Sequence, residues 1–472
     1  METSKIRRLI PILQSSVFSL FMNPKPTTQR LFHMSTYLKS FNSLSLTLLG
    51  TLISLVWVAS ATSASFAFPE ETDSGTIAQS EGNDSEEQIQ SIEDYDRTIQ
   101  LNPNDAEAYK QRGDAYLNLG ENQKALADYD RAIQLDPELV TAYFKRGNVY
   151  FRLGEYQRSI ADYDQVLRLN PTEEIAYFSY TLRGSLYYSL EKYDEAIADF
   201  DKAIQLNLDN QIDDTSMNFF LRGSAYYSLG KYDEAIADLS QHILLNPNQK
   251  GAYFVRGVIY NNLENYRLAI ADFDQSIQLD PSAEYYYKRG FAYFKLGDYQ
   301  SSIYDYDKAI QINPSDPNFY YDRGLLYLNL GEYHKSISDY ERVIQLDPNN
   351  SNAYGNLSSA YFQLGEYQQA IINLNQAIQI SPDNAMYYDN RGSVYSSLGE
   401  YRQALIDYNR AIEINPNLAS AYNNRGQTYL NLGECQLAIQ DFNRVLAIDP
   451  NLENAKQART DASNLLNTGQ CQ

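Results

Sequence analysis

The sequence predicts an all-α fold, a solenoid of about ten helix-turn-helix units, rather than one globular core. Three observations lead to this prediction: a unit that recurs about every 34 residues, aromatic residues spaced as on a helix, and a stop signal after each unit. The clearest unit, RGFAYFKLGDYQSSIYDYDKAIQINP, runs from Arg289 to Pro314. The Gly near the start of the unit recurs at Gly113, Gly147, Gly184, Gly223, Gly257, Gly290, Gly324, Gly392 and Gly426, and Ser358 takes its place in one further unit.

Each unit predicts two helices joined by a tight turn. Tyr286 and Tyr293 lie seven residues apart, which is two helical turns, so both rings share a face with Gly290. A Gly inside a helix costs about 1 kcal/mol of helix propensity, so its recurrence indicates close packing against a neighbour. Gly297 suits the left-handed end of the first helix, and Pro314 ends the second helix.

At these residues the chain resembles the tetratricopeptide repeat family, whose motif is W-x2-L-G-x2-Y…A-x3-F…P. The resemblance covers residues from about Ile89 to Asn467, with two regular departures. Tyr or Phe replaces the Trp, as at Tyr109 and Phe219, and Arg replaces the Leu before the Gly in nine units. The resemblance implies a right-handed superhelix that binds partner peptides or proteins along a concave face lined by the first helices.

The chain is predicted to have five parts. They are a leader at 1–67, an acidic disordered linker at 68–88, a partial repeat or cap at 89–105, ten repeats at 106–452, and a cap helix with a tail at 453–472.

The leader has the composition of an export signal. Its basic residues precede an apolar run at 44–59 that ends in small residues, the order found in a secretory signal peptide. Met34 is a candidate true start, because it leaves a compact signal. An uncleaved membrane anchor is the alternative, and both interpretations place the repeats on the exported side.

Composition and motifs favour a non-enzymatic scaffold. The net charge of −22 argues against nucleic-acid binding, which needs clustered Lys and Arg. The three His are far apart, and the carboxylates recur in every unit, whereas a catalytic pair would occur once. The sequence therefore predicts no catalytic residue, no cofactor and no metal. The alternatives are a substrate-recruiting subunit of a separate enzyme and a carbohydrate-binding exported protein. The oligomeric state is left open.

A stripe of side chains on the first helices is the candidate partner-binding groove. The stripe lies three residues before the recurring Gly, one after it and four after it, which places all three positions on one helical face. Its candidate binding residues are Phe144, Phe151, Tyr188, Phe220, Tyr227, Phe254, Tyr287, Phe291, Phe294, Tyr321 and Leu325. The alternative is that these side chains only pack against neighbouring helices.

The Arg before the Gly predicts a recurring ion pair. In nine units an Asp follows this Arg by 16 residues, as in Arg256 with Asp272 and in Arg289 with Asp305. The remaining unit changes both residues at once, and the alternative is two separately solvated charges.

Cys435 and Cys471 are the two cysteines of the chain. They could form a bridge in an oxidising compartment, but two cysteines do not make a disulfide framework. The sequence leaves their pairing open.

Overall fold

The computed structural model describes residues 80–210 and 215–471, and their regular elements are 22 α-helices. The helices are α1 (Ser80–Leu101), α2 (Ala106–Asn118), α3 (Asn122–Leu135), α4 (Val140–Arg152), α5 (Tyr156–Arg168), α6 (Glu173–Ser189), α7 (Tyr193–Asn210), α8 (Ser216–Ser228), α9 (Tyr232–Leu245), α10 (Lys250–Asn262), α11 (Tyr266–Leu279), α12 (Ala283–Leu296), α13 (Tyr299–Ile312), α14 (Pro317–Asn329), α15 (Tyr333–Leu346), α16 (Ser351–Gln363), α17 (Tyr367–Ile380), α18 (Ala385–Ser397), α19 (Tyr401–Ile414), α20 (Ala419–Asn431), α21 (Cys435–Ile448) and α22 (Glu453–Asn467). The predicted leader, the Met34 start and residues 68–79 of the predicted linker lie outside the described residues.

The helices α2 to α21 form ten successive repeats, which we number 1 to 10, each with a first helix that carries the recurring Gly or Ser358 and a second helix that follows it. The prediction of an all-α fold of helix-turn-helix repeats is confirmed. The residues up to Ile259 form one compact unit, unit 1, and those from Tyr260 form another, unit 2, so the division falls within α10 of repeat 5.

The turn between the two helices of a repeat needs a left-handed backbone. Gly297 adopts this conformation, with φ of 81°, and caps α12. Glu191 and Glu264 occupy the same turn in repeats 3 and 5, with φ of 61° and 59°. Tertiary packing therefore imposes the left-handed turn on these two residues, at a conformational cost that Gly avoids.

The Gly inside the first helix allows the second helix to approach closely. A Cβ atom at Gly290 would lie 3.0 Å from the ring of Tyr306, which is fully buried. Ser358 replaces the Gly in repeat 8, where the second helix carries Leu374 at the position that Tyr306 has in repeat 6. A Cβ atom at Gly223 would lie at a similar distance, 3.2 Å, from Leu239, so the Gly accommodates the second helix whether the facing side chain is aromatic or aliphatic.

The amino-terminal helix differs from the prediction. The sequence places a disordered linker up to residue 88, but α1 begins at Ser80, so that prediction is wrong for residues 80–88. Residues 80–88 contain three Glu and one Gln, residue types with favourable helix propensity. Because α1 packs on α2, the helix can extend from this anchored part into the acidic segment.

Candidate partner-binding surface

In unit 1 most of the predicted groove side chains belong to the core. Five of the six are at most 7% exposed, namely Phe144, Phe151, Tyr188, Phe220 and Phe254. The ring of Phe144 lies 6.1 Å from that of Tyr163 in the second helix of the same repeat. Tyr227 is half-buried, with its ring 6.0 Å from that of Tyr232. These side chains pack as the alternative interpretation expects, and apart from Tyr227 they leave little surface for a partner.

In unit 2 the five predicted groove side chains are all half-buried. We call them the aromatic patch, and they are Tyr287, Phe291, Phe294, Tyr321 and Leu325. The Tyr287 hydroxyl donates a hydrogen bond of 2.6 Å to Oδ2 of Asp322. The Asn356 amide donates one of 3.1 Å to the Tyr321 hydroxyl. Rings on successive first helices are thus held in fixed orientations while part of their surface stays open. Binding of a partner by these residues stays a prediction.

Charges of both signs border the aromatic patch. The ammonium group of Lys295 lies 5.2 Å from the ring centroid of Phe291, and that of Lys288 lies 5.7 Å from that of Tyr287. Burial raises the pKa of the Asp322 carboxyl above its usual value, although the hydrogen bond from Tyr287 lowers it. By accepting the hydrogen bond from the Tyr287 hydroxyl, Asp322 fixes the orientation of the Tyr287 ring.

Beyond repeat 7 the same helical face becomes polar, and it contains a buried carboxylate. Asp389 on α18 is 3% exposed and accepts hydrogen bonds from two neutral groups of α20. The donors are the Ser420 hydroxyl at 2.7 Å and the Asn424 amide at 3.0 Å. Burial raises the pKa of the Asp389 carboxyl, because the neutral donors only partly replace the lost hydration.

The Arg before the recurring Gly binds two second helices at once. Arg289 Nε and Nη2 donate to Oδ2 and Oδ1 of Asp305 at 2.8 and 2.6 Å, within repeat 6. Its Nη1 donates to Oδ1 of Asp274, on the second helix of the preceding repeat, at 2.6 Å. The side chain of Asp305 is 0% exposed, whereas that of Asp274 is 47% exposed. We call this arrangement the Arg clamp, with Asp305 as its inner residue and Asp274 as its outer residue.

The same Arg clamp recurs in eight repeats of the described residues. The pairs of Arg with inner Asp are Arg112 with Asp128, Arg146 with Asp162, Arg183 with Asp199, Arg222 with Asp238, Arg289 with Asp305, Arg323 with Asp339, Arg391 with Asp407, and Arg425 with Asp441. The outer residues, in the same order, are Asp96, Asp130, Asp164, Asp201, Asp274, Asp307, Asn375 and Asn409.

Repeat 5 contains the predicted pair of Arg256 and Asp272, which belong to unit 1 and unit 2 respectively. Within unit 1, Nη1 of Arg256 donates to the Ser240 hydroxyl at 2.8 Å, so Ser240 takes the place of the outer residue. The Arg256–Asp272 ion pair itself stays a prediction.

One or two aromatic rings of the first helix lie beside the guanidinium group of each clamp. The Arg289 guanidinium carbon lies 5.4 Å from the ring centroid of Tyr286 and 5.9 Å from that of Tyr293, close enough for cation–π attraction. Burial raises the pKa of the Asp305 carboxyl, and the hydrogen bonds from Arg289 oppose that rise. Burial lowers the pKa of Arg289, but the bonds to Asp305 and Asp274 outweigh it and raise the pKa. Arg289 therefore stays charged.

Sequence reasoning found the inner residues and missed the outer ones. The signal for the outer residue was a second Asp two residues after the inner Asp, as in Asp305-Tyr306-Asp307. Because the outer residue pairs with the Arg of the next repeat, its role depends on how repeats stack, which the spacing within one repeat does not reveal.

Cys435 and Cys471 form a disulfide in the structure, with their Cα atoms 5.8 Å apart. Cys435, at the start of α21, is fully buried. The bond ties the tail after α22 to the second helix of repeat 10, and it decides the pairing that the sequence left open.

The described residues contain neither a metal-binding cluster nor a membrane-spanning helix. No cluster of His, Cys, Asp or Glu in residues 80–210 and 215–471 could hold a metal ion. Within the same residues, no helix is both long and apolar enough to span a lipid bilayer.

Stacked two-helix repeats with partly open first-helix faces define a helical-repeat interaction protein. Family models described as "TPR repeat" match residues 113–154, 290–331, 358–399 and 392–433. Models described as "Tetratricopeptide repeat" match 94–127, 140–173, 177–210, 219–249, 251–282, 317–350, 339–372 and 419–452. The chain therefore belongs to the tetratricopeptide repeat family, and it is a protein-interaction scaffold with protein or peptide partners.

Three solved structures resemble parts of the chain. The MamA protein is 28% identical to the chain over an aligned region that spans 36% of this chain and 94% of MamA, with a TM-score of 0.35. A tetratricopeptide repeat protein from Parabacteroides merdae is 19% identical, covers 52% of this chain and 98% of its own, and has a TM-score of 0.42. YrrB, described as a TPR protein with an unusual peptide-binding site, is 22% identical over an aligned region that spans 40% of this chain and 95% of YrrB, with a TM-score of 0.36. No relative among the curated proteins matches the chain.

Proposed function

We propose that the chain is a non-enzymatic scaffold that binds a segment of a partner protein at the aromatic patch of unit 2. One observation carries the proposal: the five patch side chains are half-buried, whereas five of the six equivalent side chains of unit 1 are buried. Partly exposed rings that the fold already orients lose little freedom when a partner covers them. Aromatic side chains in such positions are typical hot spots of protein interfaces.

The hydrogen bonds of the two Tyr residues support this preorganisation. Tyr287 is fixed by Asp322 on the next first helix, and Tyr321 is fixed by Asn356 on the one after it. Three consecutive first helices therefore position the patch, so a partner segment would cross several repeats. Phe291, Phe294 and Leu325 supply apolar surface that a partner could cover without displacing these bonds.

Binding at the aromatic patch is tested by a matched pair of substitutions. Phe294 and Tyr227 are half-buried rings four residues after the Gly of their repeats, in unit 2 and unit 1 respectively. Phe294→Ala is expected to weaken binding of a captured partner by about 2 kcal/mol or more. Tyr227→Ala is expected to leave the affinity unchanged. The measurement is a titration of the purified partner, after thermal melts have shown that both variants fold.

An equal loss of affinity in both variants, or no loss in either, would contradict the assignment of the patch. If the captured ligand is a glycan rather than a protein, the carbohydrate-binding alternative is correct instead.

We also propose that the repeats work in an exported compartment, after cleavage of the leader. The leader pattern supports this, and so does the disulfide, because such bonds persist in oxidising compartments. Amino-terminal sequencing of the natural protein is expected to begin between Thr62 and Phe68. A mature protein that keeps residue 34 or an earlier residue would contradict cleavage and favour the membrane-anchored alternative.

A further inference from the structure

The helix α1 is in register with the second helices of the repeats. Asp94, Tyr95 and Asp96 precede Asp128, Tyr129 and Asp130 by 34 residues. Asp96 accepts a hydrogen bond of 2.6 Å from Nη1 of Arg112, as an outer residue of an Arg clamp does. The helix α1 therefore occupies the place of the second helix that would precede repeat 1.

This repeat has no first helix in the described residues, because α1 runs without a break from Ser80, through the place where the turn would lie. No helix among residues 80–210 and 215–471 covers the face that a first helix would occupy. The side chain of Asp94 is 59% exposed, whereas that of the equivalent Asp128 is 8% exposed. Tyr95 is half-buried, although the equivalent Tyr129 is completely buried.

The open face keeps the residues that bind a first helix elsewhere in the chain. In eight repeats the residue equivalent to Asp94 accepts two hydrogen bonds from an Arg of the first helix. Asp94 instead has two neighbours on its own helix, Arg97 at 3.3 Å and Gln90 at 3.4 Å. Both contacts are exposed, so little free energy is lost when another cation replaces them.

The carboxyl-terminal helix shows the opposite pattern. In α22, Lys456, Thr460 and Ser463 stand where the repeats have an aromatic residue, a Gly or Ser, and a second aromatic residue. Those substitutions remove the rings and the small residue that a second helix packs against. The helix α1, in contrast, keeps the Asp and the Tyr of the repeats at Asp94 and Tyr95. Its uncovered face therefore lacks the polar substitutions by which α22 ends the series of repeats.

We propose that the open half-repeat, formed by Asp94, Tyr95 and Thr98, binds an amphipathic helix of a partner protein in the place of a first helix. The partner helix carries an Arg that pairs with Asp94, because an Arg occupies this position in the eight Arg clamps. A Gly or another small residue follows that Arg, since a Cβ atom at Gly113 would lie 2.8 Å from the ring of Tyr129. This surface differs from the aromatic patch, and the proposal does not depend on the patch.

The test uses a labelled peptide with the sequence of residues 140–154, VTAYFKRGNVYFRLG, which is a first helix of this chain. The full chain is expected to bind it in a fluorescence anisotropy titration. Replacing Arg146 by Leu in the peptide, or Asp94→Asn in the protein, is expected to weaken binding at least about tenfold. Glu93→Gln, which removes the same charge from an exposed neighbour on α1, is expected to leave binding unchanged.

A charge exchange sharpens the test. The Asp94→Arg protein is expected to lose the original peptide and to bind the peptide in which Asp replaces Arg146, which a structural role of Asp94 alone would not produce. Equal binding to the wild-type and Asp94→Asn proteins would overturn the proposal, as would no binding to the wild-type protein at millimolar peptide. Binding that appears only after removal of residues 1–79 would also overturn it, because the chain itself would then cover the face.

Discussion

Repeats 7 and 8 of unit 2 are neighbours that differ in the contact between their first and second helices. Repeat 7 joins its two helices with an ion pair of Arg323 and Asp339, whose side chains are 18% and 5% exposed. Repeat 8 has Leu357 and Asn373 at these positions. Leu357 packs in an apolar cluster with Tyr340 of repeat 7, and the Asn373 amide donates to a backbone carbonyl of its own helix at 2.8 Å.

The contact between successive repeats, which we call the joint, also differs between repeats 7 and 8. In repeat 7 Arg323 binds the outer residue Asp307 of repeat 6. In repeat 8 the Tyr361 hydroxyl donates to Glu341 of repeat 7, at 3.3 Å, where an Arg would otherwise bind. The fold therefore accepts either arrangement, whereas removing one partner of a buried ion pair is strongly destabilising.

The largest expected effect comes from breaking one ion pair. Arg289→Leu leaves the carboxylate of Asp305, which is 0% exposed, without its cation. The free energy of unfolding is expected to fall by roughly 3–5 kcal/mol. Urea unfolding followed by circular dichroism measures the change. A loss below about 1 kcal/mol would show that the pair behaves as two solvated charges.

The second prediction copies repeat 8 into repeat 6. Arg289→Leu combined with Asp305→Asn reproduces Leu357 and Asn373, and it is expected to recover most of the stability that either single change loses. The coupling energy from the double-mutant cycle is expected to reach about 2 kcal/mol. Additive single effects would mean that the two side chains do not interact.

A smaller, pH-dependent effect on the free energy of unfolding is expected from Asp389. This buried carboxylate accepts its hydrogen bonds from the neutral groups of Ser420 and Asn424. Burial holds its folded-state pKa above the unfolded value of about 3.9, so the folded chain holds the proton more tightly. Its contribution to the free energy of unfolding is therefore largest below the unfolded pKa and is lost as the pH rises through the folded pKa.

The variant Asp389→Asn removes this dependence. The stability of the wild-type chain relative to the variant is expected to fall as the pH rises from about 4 to about 7. Urea unfolding of both proteins at several pH values measures the difference. A difference that stays constant, or that grows with pH, would contradict the direction of the pKa shift.

The smallest expected effect concerns the outer residues, which are Asp in the clamps of Arg289 and Arg323 and Asn in those of Arg391 and Arg425. Asp307→Asn in repeat 6 copies the later repeats. Because the Asp307 side chain is 51% exposed, the free energy of unfolding is expected to change by about 1 kcal/mol or less. A loss as large as that of Arg289→Leu would show that the joint between repeats matters as much as the inner pair.

Periodicity determined the parts of the fold that depend on one repeat. The spacing of Arg289 and Asp305 predicted two side chains that meet across the helices of one repeat, and the recurring Gly predicted the close contact with Tyr306. The exposure of Phe144 and Phe291 was not predictable, because each residue is covered by neighbours beyond its own helix. The face of a helix follows from its own residues, whereas burial depends on the repeats that pack beside it.

The Arg clamps also determine how the repeats can unfold. Arg112 and Arg146 both bind α3, through Asp128 and Asp130, so opening one repeat breaks contacts on both sides of a shared helix. Such coupling makes neighbouring repeats unfold together, as in a one-dimensional chain with strong nearest-neighbour terms. At Leu357 the succession of clamps is interrupted, and hydrogen exchange is expected to show a boundary between cooperative blocks there.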